Sequence, residues 1–285
     1  MIRLVEMGPR DGLQNEARPV PAAVKVAFID ALSTSGLPEI EVSAFVSPRA
    51  IPQLADAEEV FAAITRRPGV VYSALVPNER GLERAFKARA DKVAVFTAAS
   101  ETFNRHNIHA GIQESFDRFR PVIEGARRAG VPVRGYVSTA FWCPYEGKIA
   151  PEKAVEVIRR LSELGVEEIS VGDTIGKAVP DEVNALLDLL LPVLPAGRIA
   201  MHFHDTYGHA VENVLASFAR GMTIFDASTG GIGGCPYAPG ATGNVSMERV
   251  IGALRARGES VQVDLEALAR ARGVILPSLG RVLGT

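Results

Sequence analysis

Eight short runs rich in Val and Ile alternate with longer amphipathic stretches along the whole chain, and this alternation limits the fold more than any other feature. The runs are Ile2–Met7, Glu39–Phe45, Val70–Val76, Lys92–Thr97, Val133–Ser138, Glu168–Asp173, Ile199–His204 and Ile224–Ser228. Between them, 21–35, 57–65, 79–90, 112–129, 151–164, 180–191, 209–220 and 247–257 repeat apolar residues at helical spacing. Pro151 and Pro180 sit in first turns, where the missing N–H costs nothing. Eight strand–helix units in about 250 residues are the pattern of a closed (β/α)8 TIM barrel. An open doubly wound sheet is the alternative, but no Gly-x-Gly-x-x-Gly follows the first strand. Residues 264–283 read as one more helix packed on the outside. With no linker or composition break, residues 1–285 read as a single domain.

Composition excludes several classes. At 285 residues and 47% hydrophobic, the chain can bury a large core. A net charge of −2 and the lack of a Lys/Arg cluster argue against nucleic acid as a partner. No apolar run approaches the roughly 20 residues that span a bilayer, so no membrane partner is expected. Two cysteines, Cys143 and Cys235, make no disulfide scaffold and fit a reducing compartment. The first residues read as a strand rather than a targeting peptide, so a cytoplasmic location is expected.

In a barrel of this type the chemistry lies at the C-terminal ends of the strands. Those ends are polar here. Strand 7 places Ala200, His202 and His204 on one face, with Met201 and Phe203 on the other. Two strand residues of that spacing have Cα atoms about 6.6 Å apart, which lets both imidazoles turn onto one metal ion. The first strand runs into Gly8-Pro9-Arg10-Asp11-Gly12, a turn in which Arg10 and Asp11 can both face inward. Glu41 lies beside Ser43, Asp173 ends strand 6, and strand 8 leads into a glycine-rich loop, 230–244, that carries Cys235 and ends at Asn244. Singly, each has a structural explanation: a turn cap, a buried ion-pair partner, an inert small hydrophobe. Their convergence on one end of the barrel favours a site. A carboxylate, two imidazoles and an amide oxygen suit Mg²⁺ or Mn²⁺, with Zn²⁺ also possible. Cys143 reads as structural.

Four segments carry a resemblance: Gly8-Pro9-Arg10-Asp11-Gly12-Leu13-Gln14-Asn15-Glu16, Glu41-Val42-Ser43-Ala44-Phe45-Val46-Ser47-Pro48, His202-Phe203-His204-Asp205-Thr206-Tyr207-Gly208 and Gly233-Gly234-Cys235-Pro236-Tyr237-Ala238. In order and spacing they resemble the 3-hydroxy-3-methylglutaryl-CoA lyase family. The His-x-His pair is shared with related condensing synthases, whereas the cysteine loop is far more specific to the lyases. The resemblance implies one catalytic domain of the pyruvate carboxyltransferase-like type. It implies a divalent metal held by Asp11, His202, His204 and Asn244. It places Arg10 at the thioester carbonyl, Cys235 as the catalytic loop cysteine, Glu41 and Asp173 as supporting acids, and Asn107 near the substrate. Three segments depart from the family pattern: Ala17-Arg18, Asn107-Ile108-His109-Ala110-Gly111, and Ser228-Thr229-Gly230-Gly231-Ile232.

The implied reaction is the cleavage of 3-hydroxy-3-methylglutaryl-CoA to acetyl-CoA and acetoacetate, a step of leucine breakdown and ketone body formation. The alternatives are cleavage of a related 3-hydroxy-3-alkylglutaryl-CoA, a synthase joining acetyl-CoA to a 2-oxo acid, or a non-catalytic metal-binding barrel. His202 and Asp11 are both candidates for the base that takes the hydroxyl proton, with His202 favoured. An acyl-CoA is the expected partner, with Arg18 and Arg49 near its nucleotide end. A homodimer is implied by the resemblance alone.

Overall fold

The computed structural model describes residues 1–234 and 243–280. Eight parallel strands close into a barrel: β1 (Arg3–Glu6), β2 (Glu39–Ala44), β3 (Val71–Leu75), β4 (Lys92–Ala98), β5 (Val133–Ser138), β6 (Glu168–Asp173), β7 (Ile199–Phe203) and β8 (Ile224–Ala227). Sequential strands are neighbours throughout, and β1 closes the ring by pairing with both β2 and β8. All eight expected strands are present, with bounds that differ from the expected ones by at most one residue at either end.

The ring of helices is α1 (Ala22–Leu32), α2 (Ala57–Ala63), α3 (Glu79–Lys87), α4 (Glu101–Ile108), α5 (Ile112–Arg128), α6 (Pro151–Glu163), α7 (Pro180–Leu190), α8 (Ala210–Ala219) and α9 (Met247–Ala256), and all but α4 follow the expected stretches. Their starts are chemically marked. Asn78, Ser100, Ser246 and Asp264 each accept a hydrogen bond from a first-turn N–H, satisfying donors that a helix leaves open. The last helix, α10 (Leu265–Ile275), packs beside α1 on the outside and continues into a tight turn, Leu276–Leu279. Strand alternation divides the core in two. Leu4, Ile40, Val93, Val171, Met201, Phe203 and Phe225 face the helices, while Val5, Met7, Ala44, Ala94, Tyr136, Ala200 and Ile224 face the barrel axis.

Three elements were not expected. Gly8–Gly12 forms a single π-helical turn, closed by the Gly12 N–H on the Met7 carbonyl at 3.0 Å. Gly12 is required there, because a Cβ would come within 2.8 Å of the Ile232 carbonyl oxygen. The eight-residue α4 is short and of mixed composition, so periodicity could not show it. A two-stranded hairpin pairs Trp142–Cys143 with Gly147–Lys148 above β5.

The barrel interior is unusually charged for this architecture, in which branched apolar residues usually fill the axis. Arg3 and Lys92 bridge Glu39 and Glu168 at the floor, and Arg134 joins Glu168 to Asp226 above them. Three cations face three carboxylates, so the ladder is neutral and each buried charge has a partner, as burial demands.

Candidate active site

The C-terminal mouth of the barrel opens into a cavity of about 810 Å³. Arg10, Asp11, Asn107, His202 and His204 all line it. The π-helical turn explains how neighbours Arg10 and Asp11 both face inward, since its wide loop suspends strand alternation. Asp11, His202 and His204 bring one ligand atom each to within 4.8 Å of one another. Asn244 joins them by a route the sequence does not reveal. It forms an isolated antiparallel bridge with His204, fixed by the Asp205 N–H on the Gly243 carbonyl (2.6 Å) and the Val245 N–H on the Phe203 carbonyl (3.1 Å). Its amide donates to Asp11 Oδ2 at 2.9 Å.

This donor set fits a divalent cation. One carboxylate, two imidazoles and an amide are hard or intermediate ligands without a thiolate, as Mg²⁺ or Mn²⁺ prefers. Asn244 Oδ1 is buried without a hydrogen bond among the described residues, an acceptor whose burial calls for a partner. Burial alone would raise the Asp11 pKa, but Arg10, His204 and His202 outweigh it and hold the carboxyl well below the usual range. Asp11 is therefore ionised, as a ligand must be.

Arg10 is buried and tightly held. Its Nε donates to Glu41 Oε2 at 2.6 Å, a second nitrogen donates to Asp11 Oδ1 at 2.6 Å, and the guanidinium lies 5.2 Å from the centre of the Tyr136 ring. Glu41, inward-facing on β2 just before a bulge, touches Arg10. Burial pushes its pKa up and Arg10 opposes this. Asp173 is placed differently from its neighbours. It is buried at the end of β6 and accepts from the backbone N–H groups of Lys177 and Ala178 at 3.1 and 3.0 Å, anchoring the loop that follows. Burial raises its pKa to about 6 against those two donors. Asn107 reaches the cavity on α4, whose start is fixed by Glu146 accepting from Ser100 and Thr102. Cys143 is buried, its Sγ 3.0 Å from Ser100 Oγ, as a structural residue would be. Cys235 lies outside the described residues.

Two residues of this region escaped the sequence reading. Tyr136 stacks between Arg10 and Arg134, whose guanidinium is 5.0 Å from the ring centre. Asp226 accepts from Arg134 and lies 3.2 Å from His202 Nδ1. The available signal was a polar side chain inside an otherwise apolar strand, Ile224-Phe225-Asp226-Ala227.

The HMGL-like family model matches residues 1–275. The chain belongs to the HMGL-like family. Among its HMGL-like relatives, the hydroxymethylglutaryl-CoA lyase of Pseudomonas mevalonii is 50% identical over 98% of this chain and 93% of its own length. The crystal structure of hydroxymethylglutaryl-CoA lyase from Pseudomonas aeruginosa superposes with a TM-score of 0.97 at 47% identity, covering 100% of this chain and 95% of the other. An HMG-CoA lyase from Acinetobacter baumannii, solved with coenzyme A and 3-methylmalate, gives a TM-score of 0.94 at 37% identity over 100% of this chain and 93% of that one.

Proposed function

We propose that this HMGL-like protein is a metal-dependent carbon–carbon lyase that cleaves 3-hydroxy-3-methylglutaryl-CoA to acetyl-CoA and acetoacetate. The observation that carries the proposal is the convergence of Asp11, His202 and His204 within 4.8 Å at the floor of the cavity, beside the guanidinium of Arg10. Relatives named for this reaction match nearly the whole chain. In this reading Asp11, His202, His204 and Asn244 hold a divalent ion, with Mg²⁺ or Mn²⁺ suited to the mixed nitrogen–oxygen set once substrate oxygens and water complete the shell. The bound ion supplies Lewis acidity that acidifies the C3 hydroxyl and orients the breaking bond.

The chain's own residues do the rest. Arg10, fixed by Glu41 and stacked on Tyr136, presents a cation to the thioester oxygen where enolate charge develops. A preorganised charge in a water-poor site acts most strongly there. The hydroxyl proton would pass to Asp11 or, at an Nε2 not engaged by the ion, to His202. Asp11 is a poor acceptor, because Arg10 stabilises its ionised form despite burial, and this favours His202. Cys235 donates the proton that converts the enolate carbon to the methyl of acetyl-CoA, since a thiol of pKa about 8.5 is mostly protonated at neutral pH. Glu41 and Asp173 act through others, the first by positioning Arg10 and the second by anchoring the β6 loop. Asn107 contacts the substrate from the rim.

A second groove of about 680 Å³ adjoins the cavity, sharing Val46, Ser47, Pro77 and Asn78, and is lined by Arg49, Arg80 and Arg84. Its basic wall suits the phosphates of an acyl-CoA. Arg49 is therefore retained as a nucleotide contact. Arg18 is exposed and lines neither space. No helix among the described residues is long and apolar enough to cross a membrane. A cytoplasmic homodimer, serving leucine breakdown, completes the proposal.

The test is direct. Purified protein is incubated with 3-hydroxy-3-methylglutaryl-CoA, with Mg²⁺ or Mn²⁺ and separately with EDTA, and acetoacetate is quantified. Metal-dependent acetoacetate is expected. Its absence with metal demonstrably bound would refute the proposed substrate. Release of CoA thiol from acetyl-CoA and a 2-oxo acid would instead establish a synthase.

A further inference from the structure

Asp226 lies inside the barrel, one layer below the imidazoles, and is 1% exposed. Each of its oxygens is committed. Oδ1 accepts from Arg134 at 2.5 Å, while Oδ2 accepts from Ser170 Oγ at 2.7 Å and lies 3.2 Å from His202 Nδ1. Arg134 is itself immobilised, 1% exposed, between Glu168 below and the Tyr136 face above. The three neighbours approach Asp226 from three different strands, β5, β6 and β7. The carboxylate therefore cannot turn without breaking a buried charge-assisted bond.

We propose that the buried Arg134–Asp226 pair is the clamp that positions His202, fixing the imidazole proton on Nδ1 and so aiming Nε2 at Asp11 and His204. The chemistry is that of hydrogen-bond polarity. Asp226 is acceptor-only, with Arg134 and Ser170 as donors to it, so a nitrogen facing it must carry a hydrogen. A neutral imidazole has one such hydrogen, and placing it on Nδ1 leaves the Nε2 lone pair free for the cavity. Carboxylate partners of this kind orient ligand histidines generally, and losing one commonly costs 10- to 100-fold in metal affinity. The clamp also gives the charged interior a purpose. The floor ladder of Arg3, Lys92, Glu39 and Glu168 holds Arg134, Arg134 holds Asp226, and Asp226 holds His202.

The inference rests on reading Asp11, His202 and His204 as a metal site, and the experiment separates the two. Histidine-selective ¹⁵N labelling makes the five histidines individually assignable by long-range proton–nitrogen correlation. In the metal-free wild type, His202 should carry its proton on Nδ1; finding it on Nε2 overturns the clamp whatever any variant does. In Asp226→Asn, Arg134 can only donate, so the amide oxygen must face it and the NH₂ must face His202. The ring should then switch to the Nε2–H form. Mn²⁺ affinity, read from the free-ion EPR signal, should fall by about 10- to 100-fold. Ser170→Ala keeps both Arg134 and the His202 contact, so the Nδ1–H form and near-wild-type affinity are expected. Equal Mn²⁺ affinity in wild type and Asp226→Asn refutes the clamp alone. A wild type that binds no Mn²⁺ refutes the metal reading and the clamp's role in it.

Discussion

A divalent ion held by Asp11, His202, His204 and Asn244 would stabilise the fold, because these ligands come from the β1 turn, the end of β7 and the segment before α9 and meet only in the native barrel. An ion that binds the folded state alone adds RT ln(1 + [L]/Kd), about 2.7 kcal/mol at a hundredfold excess over Kd. For a chain of 285 residues, the unfolding entropy is roughly 0.6 kcal/mol/K at about 2.1 cal/mol/K per residue. The quotient is a rise in Tm of about 4 to 5 °C. Differential scanning calorimetry of the EDTA-treated protein, with and without Mn²⁺, measures it. His204→Ala removes one of the four ligands and should abolish most of the rise. No rise in the wild type, or an equal rise in His204→Ala, would refute the assignment of the site.

Arg10→Gln should cut turnover by at least 10²- to 10³-fold, roughly the cost of losing one preorganised oxyanion partner. It should also destabilise the protein, since Glu41 is 0% exposed and loses its cation. Adding Glu41→Gln should restore the denaturation midpoint without restoring turnover; near-normal turnover in the single variant would sink the role. Cys235→Ser should lose most activity while Mn²⁺ affinity is unchanged, and full activity in reducing buffer would remove it as the proton donor. For Asp173, burial raises the folded-state pKa from 3.8 to about 6. Its contribution is therefore complete below about pH 3.8 and is lost as pH rises through about 6, a difference of about 3 kcal/mol. Stability against pH in wild type and Asp173→Asn should diverge across that window, and parallel curves would contradict the burial argument.

Periodicity in the sequence was enough to determine the barrel, its eight strands and the end at which chemistry collects. Strand alternation is a local property, fixed by backbone geometry, so Ala200, His202 and His204 could be placed on one face before any fold was known. Arg10, Asp11, Glu41 and Asp173 were visible as charges at strand ends. Only the tertiary structure decided what those charges touch. Glu41 holds Arg10, whereas Asp173, on the helix-facing side of β6 with Ile169 and Val171, is turned onto backbone amides. Asn244 stands beside His204 through a bridge across 40 residues of chain, a non-local pairing that no spacing rule contains. Asp226 looked like one polar residue in an apolar strand; its meaning comes from Arg134 and Ser170 on two other strands, which ring closure brings within hydrogen-bond reach. The repeat of the sequence makes the frame, because each unit buries its own apolar stripe. The partners inside the frame are set by the register of eight strands at once, which is a property of the closed barrel and not of any segment in it.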